Sequence, residues 1–90
     1  MPESCEATVT LAGDLHARPA GALALAAAKF QSSVELAAGA SRADAKSVLA
    51  VMGLGAASGQ QVTVRAVGPD AAGAVAAIVE ILAGATRVGG

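Results

Sequence analysis

The chain has few of the residues that usually anchor a core or build a reactive site. Its 90 residues include one phenylalanine, one cysteine and one histidine, with no tryptophan or tyrosine. A lone cysteine cannot form an internal disulfide, and one histidine with one cysteine cannot complete a zinc site. No metal or cofactor is therefore expected. Although 54% of the residues are apolar, many are alanine, so the core must be thin and made of Val, Leu and Ile.

Charge and long apolar runs are also scarce. The net charge is −1, whereas a nucleic-acid-binding protein usually carries a basic surface. Apolar runs are broken by Gly, Lys or Glu well before the roughly 20 residues that a membrane span requires. The first ten residues lack the positive and apolar regions of a signal peptide. We therefore expect a soluble cytoplasmic domain over residues 1–90 that binds no nucleic acid and does not enter the membrane.

Alternating apolar and polar residues predict strands over residues 4–11, 33–37 and 60–67. Cys5 falls on the apolar side of the first strand, which predicts a small core residue rather than a reactive thiol. Because each strand is half apolar and half polar, we expect one antiparallel sheet covered by helices on a single face.

Three helices are predicted between and after these strands. The first continues from residue 20 to Phe30, with Leu23, Ala27 and Phe30 facing the sheet. A short second helix, residues 48–52, is capped by Ser47 and stopped by two glycines. The third is capped by Asp70, ends at Gly84, and has a buried stripe at helical spacing made of Val75, Ile78, Val79 and Leu82. Residues 86–90 are expected to form a flexible tail.

The segment from Asp14 to Ala20 contains the single histidine and should begin the first helix. A proline is tolerated in a first helical turn, so His16 is predicted at the N-cap, followed by Ala17, Arg18 and Pro19. The free N–H groups of that turn and the helix dipole favour an anion beside the imidazole. This pattern indicates a phosphate-binding pocket that contains a histidine, although an exposed histidine without a role fits the residues as well.

The residues of this segment favour phosphoryl chemistry over hydrolysis by a serine nucleophile. An imidazole nitrogen can attack phosphorus with its lone pair, and Arg18 is either a solvated charge or a guanidinium that binds phosphoryl oxygens. A serine hydrolase is disfavoured, because the chain has no Gly-x-Ser-x-Gly sequence.

Two stretches of the chain resemble a known family. The sequence HARPA at residues 16–20 and the sequence KSVLAVMGLG at residues 46–55 are similar to the active-site and regulatory-serine stretches of HPr. HPr is the histidine-containing phosphocarrier of the bacterial phosphoenolpyruvate-dependent sugar phosphotransferase system. The resemblance covers nearly the whole chain, with Asp14 standing where the family often has glycine.

The resemblance implies an α+β open-faced sandwich of order βαββαβα, in which three helices cover one face of a four-stranded antiparallel sheet. It adds a short strand at residues 40–44. It implies a stoichiometric carrier more than an enzyme with its own small substrate. His16 would accept a phosphoryl group from enzyme I on its δ nitrogen and pass it to an enzyme II A component. Arg18 and the backbone of Ala17 would hold the phosphate.

The second stretch implies regulation and docking. In some bacteria the family's serine is the target of HPr kinase, but Ser47 also has a sufficient role as a helix cap. Val48, Leu49 and Met52 cannot all be buried by so short a helix, so an exposed patch for partner proteins is expected. We expect a monomer.

Other functions remain open at this point. The chain could serve a dihydroxyacetone or nitrogen-regulatory phosphotransfer branch, or act as a regulatory adaptor that carries no phosphate. An adaptor would have no need of the intact sequence from His16 to Pro19. A small-molecule-binding domain would need a polar pocket that the sequence does not reveal.

Overall fold

The computed structural model describes residues 3–84 and contains four strands and three helices. The predicted tail, residues 86–90, lies outside the described residues. Within the described part of the chain, no helix is long and apolar enough to cross a membrane. The elements in chain order are β1 (Ser4–Thr10), α1 (Ala17–Ala28), β2 (Ser33–Ala38), β3 (Ser41–Asp44), α2 (Val48–Gly53), β4 (Gln61–Val67) and α3 (Ala71–Leu82).

The four strands form one antiparallel sheet in the order β1-β4-β2-β3. The inward residues of β4 are buried, as their alternation predicts: Val62, Val64 and Ala66. The outward face is polar, and Glu6 and Glu35 lie on either side of Arg65 in neighbouring strands. The predicted fold class is confirmed, with all three helices packed on the inward face.

The core is thin, as the composition predicts. Leu23 of α1 and Ile78 of α3 are fully buried between the helices and the sheet. Cys5 lies on the predicted side of β1, where it is half-buried and packs against this core. Helical spacing predicts Val79 in the buried stripe of α3, but its side chain is only half-buried.

Several element ends differ from the sequence prediction. Helix α1 ends at Ala28, so Phe30 lies beyond the helix, half-buried, instead of in its last turn. Strand β3 begins at Ser41 rather than residue 40, because Ala38 still pairs with Ser41 and the chain turns at Gly39, which has a φ of 60°. A glycine reaches this left-handed φ without the steric cost that a Cβ adds for most residues.

Asp70 stands at the predicted N-cap of α3, but its side chain does not cap that helix. The carboxylate instead accepts hydrogen bonds from the backbone N–H groups of Gln31 and Ser32, both at 2.9 Å, and from the Ser32 hydroxyl. The backbone N–H of Asp70 donates back to the Ser32 hydroxyl oxygen at 3.2 Å. The hydroxyl bond, followed by the bond from Gln31, lowers the pKa of Asp70 to about 2. The carboxylate thus ties the start of α3 to the segment before β2.

Candidate phosphate-accepting site

The single histidine lies at the start of α1, where the sequence predicts it. His16 is the N-cap residue, with extended backbone angles, and its carbonyl accepts the hydrogen bond from the N–H of Ala20 at 3.0 Å. Its side chain makes no capping hydrogen bond and is exposed, as are Ala17 and Arg18. The N–H groups of the first turn have no carbonyl partner within the helix. An exposed imidazole and a positive helix end therefore occur together.

Arg18 follows in the first turn of α1 with its side chain exposed to solvent. Between residues 3 and 84 the one salt bridge joins Arg42 and Glu35 at 3.5 Å on the outer face of the sheet. No carboxylate of the described residues therefore pairs with Arg18. Its guanidinium is available for an anion that binds at the helix start.

The loop before His16 is held by a buried side chain and by two hydrogen bonds to the loop before β4. Leu15 is buried, and its N–H donates to the carbonyl of Ala56 at 3.0 Å. Asp14 accepts a hydrogen bond from the N–H of Ser58 at 2.7 Å. Among the described residues only glycines have a positive φ, so Asp14 makes this bend with ordinary backbone angles.

Shallow depressions flank the imidazole on two sides. One lies between the histidine loop and the end of α3, where Ile81 and Leu82 form part of its wall. The other lies between His16 and the end of α2, and Met52 lines it. The histidine thus lies next to an apolar residue of the second helix.

Ser47 is the N-cap of helix α2, and its hydroxyl oxygen accepts the N–H of Ala50 at 3.1 Å, which confirms the predicted cap. One large apolar side chain of α2, that of Val51, is buried in the core. The three residues predicted to form an exposed patch are all accessible, with exposed fractions of 38% for Val48, 82% for Leu49 and 39% for Met52. We call these three residues the α2 patch.

A further exposed apolar side chain lies on α1, which packs against α2. Leu25 is 72% exposed and lies outside the predicted patch. Helical periodicity could have predicted this exposure, because Leu25 lies two residues after Leu23 and therefore on the opposite side of the helix from the buried stripe. The large exposed apolar side chains of the described residues therefore all belong to α1 or α2.

Comparison with known proteins agrees with this geometry. Residues 3–84 match the family model described as the PTS HPr component phosphorylation site. The chain is 41% identical over 64 residues to the phosphocarrier protein HPr of Mycoplasma capricolum, a match that covers 71% of this chain and 72% of that protein. The chain belongs to the HPr family.

Solved HPr structures support the same assignment. A histidine-containing phosphocarrier protein of Mycoplasma superposes with a TM-score of 0.79 at 33% identity, covering 98% of this chain and all of that one. HPr-C-His from Thermoanaerobacter tengcongensis gives a TM-score of 0.79 at 28% identity, covering 98% of this chain and 97% of that one. The open-faced sandwich implied by the sequence resemblance is confirmed. The roles of His16, Arg18 and Ser47 stay predictions.

Proposed function

We propose that this HPr-family chain is a cytoplasmic phosphoryl carrier of the sugar phosphotransferase system. It accepts a phosphoryl group on His16 from enzyme I, which is charged by phosphoenolpyruvate, and passes it to an enzyme II A component. One observation carries the proposal: the single histidine is exposed at the N-cap of α1 with no hydrogen bond to the helix from its side chain. Its ring is free to meet a partner's phosphorylated group.

The transfer needs little from the protein beyond position and charge. A lone pair on an unprotonated ring nitrogen of His16 forms the new N–P bond. The bond between phosphorus and the donor breaks, and its electron pair returns to the donor. The N–H groups of Ala17 and Arg18 and the Arg18 guanidinium would stabilise the phosphoryl oxygens. The reverse sequence delivers the group to the next acceptor.

The direct test is incubation of the chain with enzyme I and phosphoenolpyruvate. We expect one phosphate per chain, labile in acid and stable in base, located on His16 by mass spectrometry of proteolytic fragments. A reaction without phosphoenolpyruvate is the control. No incorporation, or an acid-stable phosphate on another residue, would contradict the carrier function.

Arg18→Ala should slow phosphoryl transfer in both directions without moving the site of phosphorylation. A hydrogen bond to a charged group contributes about 1.5–3 kcal/mol, so the expected loss is roughly ten- to hundredfold. Rapid-quench measurement of transfer from enzyme I and to the enzyme II A component checks this. Arg65→Ala, on the outer face of β4, removes the same charge away from His16 and should leave the rate unchanged. Equal rates for both variants would show that Arg18 is only a solvated charge.

We propose that the α2 patch is a docking surface for partner proteins, and that phosphorylation of Ser47 by an HPr kinase would weaken docking. The exposure of Leu49 and the position of Met52 beside His16 support this. A phosphate at Ser47 would suit the start of α2 but not an apolar partner surface.

Ser47→Asp should weaken enzyme I binding while keeping or slightly raising the melting temperature, since a carboxylate can also accept the Ala50 N–H. Leu49→Asp and Met52→Asp should weaken binding without that benefit. Titration calorimetry and thermal melting check all three. Ala72→Asp is the control, because it adds the same charge in the first turn of α3 at an exposed position. Unchanged affinity in every variant would place docking elsewhere.

A further inference from the structure

The loop that carries His16 is fastened to the loop before β4. Leu11 and Gln60 are joined by a backbone hydrogen bond of 2.9 Å, and the N–H of Gly59 donates to the carbonyl of Leu11 at 2.9 Å. Closer to the histidine, the N–H of Leu15 donates to the carbonyl of Ala56 at 3.0 Å. These backbone bonds hold the two ends of the segment between Leu11 and His16.

The middle of that segment is held by a side chain. The carboxylate of Asp14 accepts the N–H of Ser58 at 2.7 Å, a length typical of a charge-assisted bond. The Ser58 hydroxyl donates in turn to the carbonyl of Ala12 at 3.3 Å. Gly13, between these two anchors, is exposed and surrounded by open space. The N–H of Ala12 donates to the carbonyl of Leu82 at 3.1 Å, so backbone bonds hold the residues on both sides of Gly13 and Asp14. The Asp14 carboxylate adds a side-chain restraint between them.

The placement of the imidazole depends on the backbone of this segment, because the His16 side chain makes no capping hydrogen bond that would hold it. The backbone just before His16 therefore sets the point from which the ring projects toward a partner. Asp14 lies two residues before His16 and lines both depressions that flank the histidine. Phosphoryl transfer is sensitive to position, and a displacement of about 1 Å can cost on the order of a hundredfold in rate.

We propose that Asp14 is a positioning residue for phosphoryl transfer at His16, acting through the hydrogen bond that its carboxylate accepts from the backbone of Ser58. This inference rests on the proposed carrier function and adds a residue to it. The negative charge of Asp14 cannot itself favour acceptance, because a carboxylate repels the incoming phosphoryl group. The benefit must come from the bond, and asparagine, whose carbonyl oxygen can accept the same N–H, should therefore retain it.

The test compares Asp14→Ala and Asp14→Asn with the unaltered chain as acceptors of phosphate from enzyme I. We expect Asp14→Ala to lower the rate at saturating acceptor about five- to tenfold, with the half-saturating concentration unchanged because the α2 patch is intact. Asp14→Asn should stay within about twofold of the unaltered chain. Glu80→Ala, which removes an exposed carboxylate from α3, is the control for charge and should have no effect.

Amide hydrogen exchange at Ser58, measured by NMR, reports the bond directly and should be faster in Asp14→Ala only. A normal rate in Asp14→Ala would overturn the inference, as would an Asp14→Asn variant as slow as the alanine variant. A changed half-saturating concentration would assign Asp14 to docking instead. If the unaltered chain accepts no phosphate from enzyme I, the carrier function fails and this inference fails with it.

Discussion

His16→Ala is expected to abolish phosphoryl acceptance from enzyme I while the protein stays folded. The variant removes the ring nitrogen that would form the N–P bond, and no other histidine exists in the chain to replace it. The fold should tolerate the loss because the imidazole is exposed and makes no capping bond. Exposed substitutions of this kind usually change stability by about 0.5 kcal/mol or less. Acid-labile phosphate and the melting temperature are the two measurements.

The variant His16→Asn separates the role of His16 in phosphate acceptance from its role as the N-cap of α1. Asparagine is among the best N-cap residues, since its side-chain oxygen can accept an N–H from the first turn. The melting temperature of this variant should therefore equal or exceed that of the unaltered chain, yet it should accept no phosphate. Phosphorylation of either variant at a normal rate would contradict the assignment of His16. Unfolding of both variants would make His16 a structural residue.

The strands and helices that sequence alone predicts are those with strong local periodicity. Strand β4 shows this, because Val62 and Val64 alternate with polar residues and both are buried. Strand β3 has no such pattern, and only the resemblance to HPr predicted it. The position of His16 at a helix start was also local information, since the proline at residue 19 marks a first turn. Local chemistry was therefore enough to locate the candidate site.

The contacts that hold the site and the fold together could not be predicted in this way. The sequence predicts a helix cap at Asp70, but its carboxylate bonds Ser32, which is 38 residues earlier in the chain. Likewise, nothing near Asp14 indicates that its partner is Ser58, 44 residues later. In each case an acidic residue that commonly caps a local helix or turn binds a distant backbone N–H. Tertiary packing brought those groups together.

Gly68→Ala is expected to cause a large loss of stability. Gly68 has a φ of 145°, a conformation that is essentially restricted to glycine. A Cβ at this position would lie 2.6 Å from the hydroxyl oxygen of Ser32, 2.7 Å from its Cα and 2.9 Å from its Cβ. Contacts this short cannot persist, so either the chain at Gly68 or the segment at Ser32 must move.

Neither side can move easily. Ser32 is 1% exposed, and its N–H and hydroxyl both donate to the Asp70 carboxylate. Gly68 is held by its N–H, which donates to the carbonyl of Glu3 at 2.7 Å. Changing the serine side chain would not relieve the clash, because the Cα is one of the atoms in it. Backbone strain and overpacking together should cost at least about 3 kcal/mol.

A loss of that size corresponds to a fall in melting temperature of roughly 12–24 °C for a domain of this length. Gly53→Ala is the matched control, since a Cβ there meets no atom within 4 Å and the residue lies in α2 with an ordinary φ. It should leave the melting temperature unchanged or raise it slightly, because alanine favours helix over glycine. Circular dichroism melts of both variants decide the matter. If Gly68→Ala melts within a few degrees of Gly53→Ala, the approach of Gly68 to Ser32 does not constrain the fold, and the junction between β4 and α3 can repack around a methyl group.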